Sequence, residues 1–183
     1  MLGFEVLLRW KHPTRGAVSP GLFIPIAEES GAILQIGEWV LRNACREAVG
    51  WTNPLTVAVN VSGVQLHAQH CAQLVHEVLF QTGLRPDRLE IEITETALIR
   101  DPSRAQSTLR QLKALGVRIA MDDFGTGYSS LSNLRAYPFD KIKIDGSFIR
   151  AVDANAQTAA IVRSVLGLGR GLGLPVLAEG VET

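Results

Sequence analysis

Five carboxylates and one lysine in this sequence stand where separate chain segments can bring side chains together. Glu5, Glu92, Asp122, Asp123 and Glu179 each lie in or beside a short apolar stretch, and Lys143 lies inside another. A single Asp or Glu in such a place is ordinarily a helix N-cap or a solvated group, and a lone lysine an ion-pair partner. Five acidic residues across four or five strand ends are harder to dismiss, because an unpaired buried charge is very costly. Set against the one positive charge of Lys143, they leave four negative charges, which two divalent cations would neutralise. Oxygen ligands of this kind suit magnesium or manganese better than zinc. Two such ions are typical of enzymes that displace a phosphate ester in line. Residue type and placement therefore reach a metal site and name no substrate.

The elements that must position these groups alternate between strand and helix. Extended segments are expected at Gly3–Trp10, Leu55–Val61, Leu89–Thr94, Val117–Asp122, Lys141–Asp145 and Pro175–Glu179. Apolar residues at helical spacing predict helices over Ile33–Trp51, Val64–Thr82, Ser103–Leu115 and Thr158–Leu172, with Gly83 and Gly116 at C-cap positions. Repeated β-then-α units favour a parallel sheet, open or closed into a barrel.

Alternation within the strands narrows that choice. Val57, Val59 and Val61 oppose Ala58, Asn60 and Ser62; Leu89, Ile91 and Ile93 oppose Glu90, Glu92 and Thr94. Ile119 and Met121 oppose Ala120 and Asp122, while Ile142 and Ile144 oppose Lys141, Lys143 and Asp145. Glu5 shares a face with Leu7 and Arg9, and Glu179 has no assigned face because its strand is apolar on both sides. An aliphatic face suits an outer layer of helices and a polar face suits the inside of a barrel. The expected fold is α/β, a TIM-type (β/α) barrel, with its reaction centre at the C-terminal strand ends. Asn60, Glu92, Asp122 and Glu179 fall at or near such ends.

The bulk properties fit one domain: 183 residues, 46% hydrophobic and 20% charged. Zero formal charge does not suggest a strongly basic face for a DNA or RNA polymer, and leaves room for a local basic patch. Cys45 and Cys71 form neither a CxxC nor a disulfide-dense pattern, which suits a reducing cytoplasm. Glu5 and Arg9 interrupt the first apolar stretch, so no signal peptide is expected. Arg170, Pro175 and several glycines interrupt Val165–Ala178, which is too short to span a bilayer.

A string of motifs carries a resemblance. EVLLR at Glu5–Arg9 is followed by HPTRG, FIPIAEESG, NVS, EITET, DDFGTGYSSL, FDKIKID and AEGVET, in that order. The sequence resembles the EAL domain family over essentially its whole length, with Val6 where the family usually has alanine. The resemblance implies metal ligation by Glu5, Asn60, Glu92, Asp122 and Asp123, Asp123 serving mainly the second of two Mg²⁺ or Mn²⁺ ions. It implies Glu179 as the general base or holder of the nucleophilic water, and Lys143 as the group that orients that water and offsets charge. Arg9, Leu8 and Asp145 would contact the substrate. Phe124–Ser130 would be the loop that shapes the metal site and forms an interface in homodimers, with Glu95 as its anchor and Gly125 and Gly127 supplying backbone freedom for Asp123. The implied reaction is hydrolysis of one phosphodiester of cyclic di-GMP to linear pGpG. A sensor or GGDEF-type domain is implied in the parent protein, whose cytoplasmic EAL part leaves room for a membrane anchor elsewhere. Compared with the family barrel, the first and last strands and a late glutamine are expected to be missing, leaving an incomplete barrel.

Plainer readings stand beside these. DFGTGYSS alone reads as a glycine-rich turn capping a helix through Ser129 or Ser130, and Glu95 alone as the start of a helix. His67, His70 and His76 fall on one expected helix as surface residues. The main rival function is a receptor of the same fold that holds cyclic di-GMP without cutting it; such proteins lose ligand or base residues, and this sequence keeps each one it covers. Another metal-dependent barrel enzyme, such as a lyase working through an enolate, rests on fold analogy alone.

Overall fold

The structure, a computed structural model, describes residues 2–125 and 136–181. The chain enters through β1 (Gly3–Val6), makes a small antiparallel hairpin of β2 (Trp10–His12) and β3 (Gly16–Val18), and continues into α1 (Pro20–Glu29) and α2 (Ala32–Val49). Then come β4 (Thr56–Asn60), α3 (Gly63–Leu66), α4 (Cys71–Thr82), β5 (Leu89–Thr94) and α5 (Pro102–Ala114). The second part holds β6 (Arg118–Phe124), β7 (Lys141–Ile144), α6 (Gly146–Ala151), α7 (Ala156–Leu172) and β8 (Val176–Ala178). Six strands form one parallel sheet in the order β1-β4-β5-β6-β7-β8. The sheet curls into an incomplete TIM-type barrel, with β1 and β8 as its edges among the described residues.

The aliphatic strand faces explain the layering. Val57, Val59, Leu89, Ile91, Ile93, Ile119, Met121, Ile142 and Ile144 are buried in one core with the inward stripes of the helices. Those stripes are Leu41, Ala44, Cys45 and Ala48 on α2, Val75, Val78 and Leu79 on α4, and Leu109 and Leu112 on α5. Each fully buried Ile or Leu contributes about 1.5–3 kcal/mol relative to exposure. The opposite faces carry the charges. Near the N-terminal ends, Glu90 is buried and meets Lys141 Nζ with both carboxylate oxygens, at 2.6 and 2.7 Å, so this inward-facing pair is neutral.

Local caps set several boundaries. Ser62 and Gln65 form a capping box at α3, Asp101 accepts from the Arg104 N–H to start α5, and Asn155 accepts from Gln157 and Thr158 to start α7. Gly83 ends α4 at φ 73°, the left-handed conformation expected of a glycine C-cap.

Two expected elements are divided. Gly3–Trp10 is not one strand: pairing with β4 stops at Val6, and Trp10 instead opens the hairpin, so Leu7 and Arg9 do not share a strand face with Glu5. Val64–Thr82 is not one helix, because α3 seats against the Glu95–Leu98 turn, with Gly63 close to Ala97, whereas α4 packs on α2 and α5. One straight helix cannot meet both. His67 and His70 consequently cap separate helices, and His67 is half-buried with its Nε2 3.0 Å from the Ala97 carbonyl, not a surface residue. The hairpin, α1 and α6 had no counterpart among the expected elements. Among the described residues no helix is long and apolar enough to cross a membrane.

Candidate active site

Side chains from β1, β5 and β6, and from the residue that follows β8, converge on Lys143. Its ammonium, on β7, is 2.6 Å from Glu179 Oε1, 2.8 Å from Glu92 Oε1, 3.3 Å from Asp122 Oδ1 and 3.8 Å from Glu5 Oε2. Glu92 and Lys143 are almost fully buried, whereas the side chains of Glu179 and Glu5 keep 27% and 35% of their exposure, so the cluster opens upward to solvent. Asn60, paired in register with Glu92 across β4 and β5, donates from Nδ2 to Glu5 Oε1 at 2.8 Å. Glu179 follows β8 directly, and its backbone N–H donates to the Ile144 carbonyl, which ties the carboxylate to β7.

Asp123 reaches the cluster through a break in strand geometry. Neighbouring side chains of a regular strand point to opposite faces, which would send Asp122 inward and Asp123 out. Between β6 and β7, however, Met121 pairs with Ile142 and Phe124 with Ile144, so Asp122 and Asp123 together stand opposite Lys143 alone. This β-bulge puts Asp123 at φ 53°, the one non-glycine residue with positive φ among the described residues. Bulges of this kind re-aim side chains beside active sites. Here carboxylate oxygens of Asp122, Asp123 and Glu179 all come within 4.8 Å of one another, a geometry that can hold a metal ion. The reorientation thus starts on Asp123 itself, two residues before a device built on Gly125 (φ 99°) and Gly127.

The electrostatics follow from this crowding. Burial pushes the Glu92 carboxyl up to about 7, against the pull of Lys143, with Glu5 and Asp122 adding to the rise. Burial also raises Asp123, helped by Asp122, Asp145 and Glu179. Burial alone would lower Lys143, but its contacts with Glu179 and Glu92 outweigh that, and the ammonium is held above the usual lysine range.

The other expected residues lie around this centre. Leu8 and Arg9 line a cleft of about 280 Å³ that begins at Asn60 and Glu92. Asp145 is the N-cap of α6, where its carboxylate accepts from the Ser147 N–H at 2.9 Å and is held below the usual range by the Ser147 hydrogen bonds. Glu95 starts the turn after β5 and is 4% exposed; neither carboxylate oxygen has a hydrogen-bond partner among the described residues. Phe124 and Gly125 are described, whereas the rest of the expected loop and dimer contact, including Gly127, Ser129 and Ser130, lies outside the described residues. Unforeseen in the sequence was the part played by α1, whose Pro20, Ile24 and Glu28 line the same cleft.

Comparison with known families fits this geometry: the EAL domain family matches residues 1–183. The chain belongs to the EAL domain family. An uncharacterized signaling protein of Caulobacter vibrioides is 62% identical over 99% of this EAL chain and 22% of its own length. The bifunctional diguanylate cyclase/cyclic di-GMP phosphodiesterase MucR of Pseudomonas aeruginosa is 44% identical over the whole chain, which covers 27% of that protein. The EAL chain thus spans about a quarter of the length of these relatives. Among solved structures, the PaMucR phosphodiesterase in complex with c-di-GMP superposes with a TM-score of 0.94 at 44% identity, covering all of this chain and 76% of that one.

Proposed function

We propose that this chain is the catalytic part of a metal-dependent phosphodiesterase that opens cyclic di-GMP to linear pGpG. The observation that carries the reading is the convergence of Glu5, Glu92, Asp122 and Glu179 on Lys143, with Asn60 on Glu5 and Asp123 turned inward by the bulge. The likeness to a phosphodiesterase solved with c-di-GMP supports the substrate.

The donor set fits two hard divalent cations. It is all oxygen, without imidazole or thiolate, and its five carboxylates exceed the charge of Lys143 by four. Glu5, Asn60, Glu92, Asp122 and Asp123 would hold the ions, Asn60 through the carbonyl oxygen of the amide that steers Glu5. Bound Mg²⁺ or Mn²⁺ supplies charge stabilisation at the phosphoryl oxygens and lowers the pKa of water. Glu179 takes the proton of the attacking water; Lys143, 2.6 Å away, holds that carboxylate in place and offsets charge developing beside it. Water oxygen bonds to phosphorus as the P–O3′ bond breaks, and the departing 3′ oxygen gains a proton. A 5′-phosphate and a 3′-hydroxyl result. Arg9 and Leu8 position the nucleotide along the cleft, and Asp145 contributes at its rim through α6. Glu95, whose two buried oxygens have no hydrogen-bond partner among the described residues, would anchor the loop after Phe124. In a longer parent, a sensor or GGDEF-type domain would govern this activity, and the loop would form a homodimer contact.

Incubation with cyclic di-GMP and Mg²⁺ or Mn²⁺, followed by product separation, tests the proposal. The expected product is pGpG, lost in EDTA and suppressed by Ca²⁺, whose looser coordination serves in-line geometry poorly. Glu179→Gln should still bind the dinucleotide while turnover falls at least ~10²–10⁴-fold. Undiminished hydrolysis in chelator, or binding without hydrolysis in the unaltered protein, would refute it, the latter in favour of a receptor.

A further inference from the structure

Helix α1 separates two clefts by its periodicity. Phe23, Ile26 and Ala27 line a groove of about 560 Å³ on one side. Pro20, Ile24 and Glu28, each four residues from the next and so on one helix face, line the 280 Å³ cleft on the other. Asn60 and Glu92 of the carboxylate cluster, Leu8 and Arg9, and Glu28 all line that cleft. Its walls are mainly aliphatic, which suits a flat base. Glu28 is half-buried and has no side-chain hydrogen bond or ion pair among the described residues. No step of the proposed chemistry uses it.

An ionised carboxylate only accepts hydrogen bonds, through two oxygens side by side. Guanine presents two adjacent donors on its Watson–Crick edge, N1–H and the N2 amine. Adenine presents an acceptor, N1, beside a single amine donor, and would leave one carboxylate oxygen facing a lone pair. A site built around such a group rejects ligands that cannot satisfy it far more strongly than an apolar pocket can. We infer that Glu28 reads the Watson–Crick edge of one guanine of the substrate and so sets the preference for guanine over adenine cyclic dinucleotides. This rests on the phosphodiesterase reading above. Glu28 is a specificity residue and touches none of the reacting atoms.

Glu28→Gln tests this, because the amide keeps the shape and replaces one acceptor with a donor. Glu29→Gln is the control: the same charge change on an exposed neighbour that does not line the cleft. Affinities for cyclic di-GMP, cyclic di-IMP (which lacks the N2 amine) and cyclic di-AMP are compared, alongside hydrolysis of the base-free diester bis(p-nitrophenyl) phosphate. Glu28→Gln should weaken cyclic di-GMP about 10–100-fold and distinguish the three ligands less than the unaltered protein does. Its hydrolysis of the base-free diester should be unchanged, and Glu29→Gln should behave as the unaltered protein throughout. Wild-type affinity and wild-type discrimination in Glu28→Gln would overturn the inference while leaving the phosphodiesterase reading intact. An unaltered protein that binds none of the cyclic dinucleotides would overturn both.

Discussion

Glu92 makes the cation-free protein a sensor of its own missing charge. Its carboxyl is 2% exposed and titrates at about 7, against an ordinary 4.5. The folded chain therefore holds a proton that the unfolded chain releases near 4.5, so the stability linked to Glu92 is complete below that value. It is lost as pH rises toward 7. The interval spans about two and a half pH units, worth about 3 kcal/mol. For a chain of this size that corresponds to a fall in Tm of roughly 6–12 °C. Asp123, also raised, acts in the same direction. Asp87, Asp101 and Asp145 are lowered instead, so their contributions disappear only as pH falls below the ordinary aspartate value of 3.8, outside this window. Urea titrations in EDTA between about pH 5 and pH 8, followed by circular dichroism, should show stability declining through the interval. Glu92→Gln should flatten that decline, and saturating Mg²⁺ should reverse it, because the ions bind the ionised site of the folded chain alone. Cation-free stability that stays level or rises between those limits, with Glu92→Gln following the same curve, would refute the electrostatic account.

Two further expectations concern single residues. Asp123→Gly relieves a left-handed conformation costing an L-residue about 1–2 kcal/mol, so its melting temperature should rise while turnover collapses; Asp123→Asn should keep the bulge and lose the charge, with turnover again lost. A Gly variant no more stable than the parent would show that the bulge is unstrained. Glu95→Ala removes a buried carboxylate that has no hydrogen-bond partner among the described residues, so the fold should persist by circular dichroism while metal affinity or turnover weakens through the unanchored loop. Unchanged kinetics in that variant would count against the anchoring role.

Much of the fold was legible because alternation is a local property. Leu89–Thr94 was bounded correctly, and the split of its aliphatic and acidic faces correctly placed Glu92 inside the sheet's curve. Short elements were not legible, since three residues of strand or four of helix carry too little periodicity. The β2–β3 hairpin is held by its own short ladder and by Trp10 against Phe23 of α1, and the break at His67–His70 by the seat of α3 on the Glu95–Leu98 turn. Ser19 followed by Pro20 marks a helix start, and the four-residue spacing of Ile24 and Glu28 was available in the sequence. Only the folded chain reveals that this face looks into the cleft. The direction of Asp123 was hidden for a stricter reason: two adjacent aspartates share a face only where a bulge breaks the alternation on which every other assignment depended.

The arrangement of charge by depth explains how such a chain can fold before any cation arrives. Lowest in the curl of the sheet, Glu90 is matched by Lys141 at 2.6 Å. Two residues further along the same strands, buried Glu92 is matched by Lys143 at 2.8 Å. Each lysine comes from β7 and each glutamate from β5, so one repeated i, i+2 spacing sets a lysine beside each buried glutamate. Glu5, Asp122, Asp123 and Glu179 lie at the C-terminal rim and have no lysine beyond the Lys143 they share with Glu92; Glu5 and Glu179 remain partly in water, whereas Asp122 is buried. Desolvation is therefore eased at Glu5 and Glu179, which keep water, and tolerated at Glu90, whose charge Lys141 matches. The same gradient leaves the unmatched negative charge at the mouth of the cleft, within reach of an arriving cation and next to the wall that carries Arg9 and Glu28.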